Sequence, residues 1–330
     1  MEAKANKNSE LVIWCNAHLT DAAERMLRAG IGAHGLVLSL QRTGNLSAGG
    51  PDPTLAEADI AFGQPDPQQV IELRKLRWIH LSSAGYTRYD RPDIRAALTA
   101  REAVMTNSSS VFDEPCAQHL LSFMLADARQ LFAAARDQAG PRAWPATALR
   151  RRSRLLNGQI VLILGFGAIA RRLVELLTPL KAKMIAVRQT PRGDEPIPVE
   201  PVKNIDQLLP TADHVVNILP ANAGTERFID ADRFGRMKTG AVFYNIGRGT
   251  TINQAALVNS LKSGHLAAAY LDVTDPEPLP SNHELWAAPN CHITPHTAGG
   301  HIAEFEDMTQ HFLVNFQHFK AGLPLKDRIL

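Results

Sequence analysis

A short apolar strand, a glycine-rich turn and a helix follow one another over residues 160–180, and this succession constrains the fold most strongly. The apolar run 161–164 ends in Gly165-Phe166-Gly167-Ala168-Ile169-Ala170, and leucines then recur at helical spacing. G-x-G-x-x-A between a strand and a helix is typical of a dinucleotide site. The first glycine permits a tight turn, and the second leaves room for a pyrophosphate at the helix N-terminus. We expect cofactor contacts from Gly165, Gly167, Ala168 and Ile169.

The end of the next strand indicates which dinucleotide binds. Residues 184–187 form an apolar strand followed by Arg188-Gln189-Thr190-Pro191-Arg192. An NAD site usually carries an acid here, which binds the ribose 2′-hydroxyl, whereas a guanidinium can pair with a 2′-phosphate. We therefore predict that NADP(H) is preferred and NAD is possible, with Arg188, Gln189, Thr190 and Arg192 as contacts. The alternative is a pair of solvated arginines in a surface loop.

Composition limits the classes of function. The chain has 330 residues, 45% of them hydrophobic, and a net charge of +2, which predicts two domains that bind neither nucleic acid nor membrane. Its three cysteines match no metal or disulfide pattern, and we find no apolar run long enough for a membrane span or a signal peptide. We therefore expect a cytoplasmic protein without a metal site. The basic run 150–154 is interpreted as a solvated or dimer-facing loop.

Two series of alternating strand and helix patterns predict an α/β protein. The second series has the pattern of a doubly wound parallel sheet, that is, a Rossmann nucleotide domain, and the first predicts a smaller flavodoxin-like substrate domain. A long helix over 115–135 and an exposed arm up to residue 152 connect them, and a last helix over 301–320 is expected to return to the first series. The predicted substrate domain is 1–107 with 298–330, and the predicted dinucleotide-binding domain is 108–297. The predicted strands are 11–14, 36–40, 59–63, 78–81, 103–107, 160–164, 183–187, 214–219, 241–245, 267–272 and 292–294.

Three chemically capable side chains follow predicted strands of the second series. Arg248, Glu277 and His296 each lie just past the carboxyl end of a strand, where open α/β sheets bind ligands. We expect the three to converge beside the nicotinamide of the cofactor. Imidazole titrates near neutral pH and can give a proton to a carbonyl oxygen, a carboxylate can orient the ring, and a guanidinium can clamp a carboxylate.

These motifs resemble the D-isomer-specific 2-hydroxyacid dehydrogenase family, in particular its NADP-preferring glyoxylate/hydroxypyruvate reductase-like members. The intervals of 29 residues from Arg248 to Glu277 and 19 from Glu277 to His296 suit that family. One departure is Gln118, which stands where the family usually has a glutamate between Ala117 and His119. The resemblance also rests on Gly165 to Ala170, Leu219-Pro220 with Thr225, Asn245 with Arg248-Gly249, Asp272 with Glu277-Pro278, and Thr294-Pro295-His296.

The resemblance implies further contacts and a dimer. Backbone N–H groups around Ser83, Ala84 and Gly85 are expected to bind the substrate carboxylate together with Arg248, while His296 contacts the substrate oxygen. A homodimer is expected to form around residues 115–152. Further cofactor contacts are predicted at Leu219, Pro220, Thr225, Ile246, Gly247, Asp272 and Gly299.

The sequence therefore predicts an NADPH-preferring reductase that converts a 2-oxo acid to a D-2-hydroxy acid, with glyoxylate and hydroxypyruvate as first candidates. Two alternatives stay open. Formate dehydrogenases share the fold but carry glutamine where this chain has Glu277, and formate needs no proton transfer. A non-catalytic NAD(P)(H)-sensing protein that binds a partner, like the transcriptional corepressors of this superfamily, would retain the same three residues.

Overall fold

The computed structural model describes residues 10–45, 47 and 49–330, which form two compact α/β units. The first unit contains the described residues up to Phe112 together with His301–Leu330, and the second unit is Asp113–Gly300. The sequence-based boundaries, at 107/108 and 297/298, lie a few residues away. No helix in the described ranges is long and apolar enough to cross a membrane.

The first unit is built on a five-stranded parallel sheet in the order β2-β1-β3-β4-β5. This is the flavodoxin-like order, which confirms the expected fold of this unit. Its strands are β1 Val12–Ala17, β2 Gly35–Thr43, β3 Ile60–Gly63, β4 Trp78–Leu81 and β5 Val104–Thr106. Its helices are α1 Asp21–Ile31, α2 Pro67–Glu72, α3 Pro92–Ala100 and, from the end of the chain, α11 Glu304–Ala321.

Alternating residues of these strands build one apolar core on each face of the sheet, as the two-residue period of a strand dictates. Ile13, Phe62 and Trp78 face α1 and α11, whereas Trp14 and Ile79 belong to the opposite core. The ring of Phe312 in α11 stacks on Phe62 and Trp78, with centroids 4.4 and 5.1 Å apart. The last helix therefore returns to the first unit, as predicted.

The second unit is a seven-stranded parallel sheet in the order β12-β11-β10-β9-β6-β7-β8. The chain moves outward from β6 to β8 and then restarts at β9 on the other side of β6, which is the doubly wound order of a Rossmann sheet. This topology confirms the predicted fold class. The strands are β6 Ile160–Leu164, β7 Lys183–Arg188, β8 Val199–Pro201, β9 His214–Asn217, β10 Val242–Asn245, β11 Ala268–Leu271 and β12 Cys291–Ile293.

The sequence missed β8, which is the outermost strand. It has three residues, and prolines stand just before it and at its end. Proline cannot donate to a sheet ladder and is confined to edges, so the pattern resembled a loop. The helices of the second unit are α4 Ser109–Ala128, α5 Leu131–Ala139, α6 Ala146–Arg152, α7 Ala168–Leu177, α8 Ile205–Leu208, α9 Ala231–Arg236 and α10 Gln254–Lys262. Helix α4 begins in the first unit and continues into the second.

The predicted single helix over 115–135 is wrong in both bounds. The structure has α4 and α5 instead, separated at Gln130, whose φ of 59° is in the left-handed region and ends regular helix geometry. Pro115 lies inside α4 rather than at its start. The expected loop over 150–154 is also corrected, because residues 150–152 form the last turn of α6, where basic side chains interact favourably with the helix dipole.

Candidate active site

The glycine turn after β6 leaves open space at the start of α7. Gly165 has a φ of 97°, a conformation that side chains disfavour, and a Cβ atom there would lie 3.3 Å from the carbonyl oxygen of Ile218. A Cβ atom on Gly167 would meet nothing within 4 Å. Ala168 and Ile169 form the first turn of α7, and Ala170 is fully buried. The turn thus fits a dinucleotide pyrophosphate, since it presents a helix N-terminus with no side chain in front of it.

The loop from Arg188 to Glu195, which we call the Arg188 loop, follows β7. Gln189, Thr190 and Arg192 are exposed on it. Arg188 donates from Nη1 to Oε1 of Glu195 over 3.2 Å, so the guanidinium is paired within its own loop. The contact between Glu195 and Arg188 was not predicted from the sequence. The acid seven residues after Arg188 is evident there, but the sequence does not show that the loop folds back onto Arg188.

Two further turns lie at the carboxyl ends of β9 and β10, beside the glycine turn. Pro220 follows Leu219 and accepts a hydrogen bond from the hydroxyl of Thr225 over 2.6 Å. Gly247 packs directly on this segment, because a Cβ atom there would lie 2.6 Å from the carbonyl oxygen of Leu219. Ile246 is buried next to it. The predicted cofactor contacts of these turns therefore lie on neighbouring strands, and their contacts with a cofactor stay predictions.

Arg248 is positioned by the turn after β10. The side chain of Asn245 accepts the N–H of Gly247 over 3.1 Å and donates to the carbonyl of Arg248 over 3.2 Å. Gly249 allows the chain to approach the next segment, since a Cβ atom there would lie 2.0 Å from the carbonyl carbon of Thr274. Burial lowers the pKa of the Arg248 guanidinium, and the charge of Glu277 reduces this shift. The side chain nevertheless stays a cation, because the ordinary pKa of arginine lies far above neutral pH.

Glu277 and His296 form a hydrogen-bonded pair. Nδ1 of His296 lies 2.8 Å from Oε2 of Glu277, and Oε1 accepts the N–H of Thr274 over 2.9 Å. Burial raises the pKa of Glu277, but the hydrogen bonds from His296 and Thr274 and the charges of His296 and Arg248 outweigh it, so the pKa is lowered overall. Because an ionised carboxylate only accepts, Nδ1 carries a proton and Nε2 is the ring nitrogen left for a substrate.

Asp272 holds the segment that carries His296. Its Oδ1 accepts the hydroxyl of Thr294 over 2.6 Å and the N–H of Thr297 over 2.8 Å, and Oδ2 accepts the N–H of Ala298 over 3.0 Å. The side chain is almost fully buried. Asp272 is therefore a positioning residue for the loop after β12, and its predicted contact with the cofactor stays a prediction, as does that of Gly299 on the same loop.

Helix α4 supports this loop from the other side. Nε2 of His119 lies 3.1 Å from the hydroxyl of Thr294. Gln118 is exposed and donates to Glu114 over 2.6 Å. The residue that departs from the family pattern therefore lies on the exposed face of α4.

The predicted carboxylate-binding turn, Ser83 to Gly85, lies at the carboxyl end of β4 in the first unit. The hydroxyl of Ser83 donates to the carbonyl of Gly85 over 2.7 Å, and Asn107 donates to the carbonyl of Ala84 over 2.6 Å. Buried Gln64 donates to Ser83 over 3.0 Å. These bonds fix the turn through its carbonyl and hydroxyl oxygens, and substrate binding by its N–H groups stays a prediction.

The second unit thus combines a Rossmann sheet and an open glycine turn with an arginine, a glutamate and a histidine at the same carboxyl edge. These features define a dinucleotide-dependent oxidoreductase. Residues 121–298 match the NAD binding domain of the D-isomer specific 2-hydroxyacid dehydrogenases, and the chain belongs to this family. The family expected from the sequence is confirmed, and with it an NAD(P) cofactor and oxidoreductase activity on CH–OH donors.

Comparison with known proteins gives similarity along most of the chain. It is 32% identical over 273 residues to an uncharacterized protein in the proB 3′ region of Corynebacterium melassecola, covering 81% of this chain and 87% of that protein. It is 32% identical over 236 residues to glyoxylate/hydroxypyruvate reductase B of Escherichia fergusonii, covering 70% and 71%. The crystal structure of the TT0316 protein from Thermus thermophilus has a TM-score of 0.74 and 27% identity, covering 97% of this chain and 100% of that one.

Proposed function

We propose that this protein is an NADPH-preferring reductase that converts a small 2-oxo acid, such as glyoxylate or hydroxypyruvate, to the D-2-hydroxy acid. The observation that carries the proposal is the hydrogen-bonded pair of His296 and Glu277, together with the charge of Glu277 acting on the half-buried cation of Arg248. A 2-oxo acid presents a carboxylate for the guanidinium and a carbonyl oxygen for the imidazole.

The turn at Gly165 and Gly167 would hold the dinucleotide, and its nicotinamide would supply the hydride for the carbonyl carbon. His296 donates the proton from Nε2 to the carbonyl oxygen, and Glu277 keeps Nδ1–H in place and stabilises the imidazolium before transfer. Arg248 holds the carboxylate and polarises the carbonyl, and N–H groups around Ser83, Ala84 and Gly85 bind the other carboxylate oxygen. In the reverse direction the neutral imidazole takes up the hydroxyl proton.

The preference for NADPH is proposed from the end of β7. Arg188 stands there in place of the acid that would repel a 2′-phosphate. Gln189, Thr190 and Arg192 supply further polar groups on the exposed face of the same loop. A formate dehydrogenase activity is disfavoured, because the paired imidazole and carboxylate of His296 and Glu277 serve a proton transfer that formate oxidation does not need.

A homodimer built around residues 115–152 is part of the proposal. Helices α5 and α6 have no buried residue. Leu131 is 56% exposed and Trp144 93%, and Leu155, just beyond this region, is 69% exposed, so large apolar side chains face outward here. A second copy of the chain would cover them. We also propose a cytoplasmic location, because Cys15, Cys116 and Cys291 form no disulfide, as is usual where thiols are kept reduced.

The test is a steady-state assay with two cofactors and a small panel of substrates. Purified protein should oxidise NADPH with glyoxylate or hydroxypyruvate at a higher kcat/KM than NADH. The methyl ester of a 2-oxo acid should be reduced poorly, since it offers no carboxylate to Arg248. Equal or better use of NADH would refute the cofactor preference. Turnover of formate, but of no 2-oxo acid, would refute the substrate class.

A further inference from the structure

The Arg188 loop encloses a carboxylate of its own chain. Oε1 of Glu195 accepts the N–H of Arg192 over 2.8 Å and a guanidinium N–H of Arg188 over 3.2 Å, while Oε2 accepts the N–H of Gly193 over 2.7 Å. Gly193 has a φ of 85°, which lets the loop turn its amides inward. Only 4% of the Glu195 side chain is exposed, because its own loop covers it at the edge of the unit.

These donors form a binding site for an oxyanion. Two successive backbone N–H groups that converge on one point bind anions, and a guanidinium adds charge and directed hydrogen bonds. The same guanidinium is the group that the proposed function assigns to the 2′-phosphate of NADPH. The site that should receive the phosphate is therefore already filled by an internal carboxylate.

We propose that Glu195 is a specificity-determining residue that competes with the 2′-phosphate of NADPH for Arg188 and for the amides of Arg192 and Gly193. This proposal rests on the cofactor site of the proposed function. Two anions cannot share these donors, so NADPH binding must displace Glu195 or accept its repulsion, whereas NADH brings no phosphate to the site. Glu195 thereby weakens the binding of NADPH but not the binding of NADH, and the affinities of the two cofactors become more similar.

The carboxyl group of Glu195 is ionised at neutral pH, because its pKa is lowered from the usual value for glutamate. Hydrogen bonds from the amides of Arg192 and Gly193, together with the one from Arg188, lower the pKa of the carboxyl and outweigh the opposing effect of desolvation. Neutralising the residue by mutation is therefore the direct way to remove the competition.

The experiment compares Glu195→Gln with the unmodified enzyme. The dissociation constants of NADPH, NADH, 2′,5′-ADP and 5′-AMP would be measured by fluorescence or calorimetry. We expect the variant to bind NADPH and 2′,5′-ADP about 5-fold more tightly, the scale of one charge–charge contact in water. Affinity for NADH and 5′-AMP should change less than about 2-fold, since these ligands lack the 2′-phosphate.

Two further variants make the result specific. Asp194→Asn is the matched control, because Asp194 is the neighbouring acid of the same loop and is exposed, whereas the amides of Arg192 and Gly193 donate to Glu195. It should leave the ratio of NADPH to NADH affinity nearly unchanged. Glu195→Ala empties the site altogether and should move the ratio in the same direction as Glu195→Gln.

Arg188→Ala separates failure of this proposal from failure of the cofactor assignment. If Arg188→Ala weakens 2′,5′-ADP while both Glu195 variants leave the ratio unchanged or shift it towards NADH, Glu195 does not compete and the phosphate site stands. If 2′,5′-ADP responds to neither Arg188 nor Glu195, both proposals are overturned. If the unmodified enzyme prefers NADH but Glu195→Gln still tightens NADPH, only the stated preference is wrong.

Discussion

His296 adopts a left-handed backbone conformation, with a φ of 54°. Such a conformation costs a residue with a side chain about 1–2 kcal/mol and persists only where its surroundings enforce it. Here the N–H of His296 donates to the carbonyl of Asp272 over 2.8 Å, and the carboxylate of Asp272 holds the next two amides. The loop that orients the imidazole thus maintains this strained backbone conformation. Such a fixed orientation is expected of a preorganised proton donor.

The first prediction concerns the guanidinium of Arg248. Arg248→Lys keeps a positive charge but loses the planar pair of donors, so KM for the 2-oxo acid should rise and kcat should fall together. We expect kcat/KM to drop by about 10²-fold or more, on the scale of a lost charged hydrogen-bond pair. Steady-state kinetics at saturating NADPH measures both constants.

The control for this variant is the dissociation constant of NADPH, which should be unchanged, since Arg248 is assigned to the substrate. A variant with full kcat/KM, or an unmodified enzyme that reduces the ester as well as the acid, would contradict the assignment of Arg248 as the carboxylate clamp.

At the residue scale, the sequence indicates which groups lie together but not which loop amides bind them. The order and spacing of Arg248, Glu277 and His296 after strands predict that the three lie near one another, because parallel strands end at one edge, and the catalytic roles of the three stay predictions. The use of Asp272 and Glu195 could not be predicted, because each depends on loop amides that turn towards a carboxylate. Backbone conformation of that kind leaves no period or motif in the sequence.

At the element scale, apolar periodicity located every strand except β8, and it failed on α4 and α5. Both helices belong to one run rich in alanine, leucine and phenylalanine, which predicts helix throughout. The break depends on the single conformation of Gln130, and nothing about glutamine favours a left-handed φ. The bounds of elements are therefore set by the tertiary context that the pattern does not contain.

The second prediction concerns the arm, here residues 131–152, which comprises α5, α6 and the residues between the two helices. Leu131→Asp combined with Trp144→Ala should convert the proposed dimer to a monomer. These apolar side chains are 56% and 93% exposed in the single chain, and the proposed dimer would bury them in its interface. Sedimentation velocity or light scattering measures the mass. Trp286→Ala is the matched control, since this tryptophan is 52% exposed but lies outside the arm.

A dimer that survives the double substitution, or a monomeric unmodified protein, would show that residues 115–152 do not form the interface. Loss of the dimer in Trp286→Ala as well would point to general destabilisation instead of a specific contact.

At the scale of the whole molecule, buried histidines couple stability to pH. His214 is fully buried on β9 between Tyr244 and Gln159. Burial, helped by the charge of Arg154 and opposed by Asp213, lowers its pKa to about 4. Burial also lowers the pKa of His292 to about 4, and the pKa of His80 is lowered as well. The folded protein therefore keeps these rings neutral where the unfolded chain would protonate them.

The third prediction follows from the sign of this shift. The contribution of His214 to stability is complete above pH 6.5 and is lost as the pH falls from 6.5 towards 4, because only the unfolded state binds the proton. Between about pH 7.5 and about pH 5 the loss from this residue is about 2 kcal/mol. Urea unfolding should show that His214→Gln loses less stability over this interval than the unmodified protein.

The control for the pH dependence is His18→Gln, because His18 is exposed. That variant should follow the unmodified protein at both pH values. An equally steep loss in His214→Gln would show that its protonation does not contribute to acid destabilisation.

Turnover of His296→Ala with glyoxylate or hydroxypyruvate tests whether His296 delivers the proton to the substrate. We predict a kcat lower by about 10²–10⁴-fold, the usual scale for a general acid, with the dissociation constant of NADPH unchanged. Glu277→Gln should lose less, since it keeps a hydrogen bond to the ring. A His296→Ala enzyme that retains near-normal kcat while binding NADPH normally would contradict the claim that His296 delivers the proton.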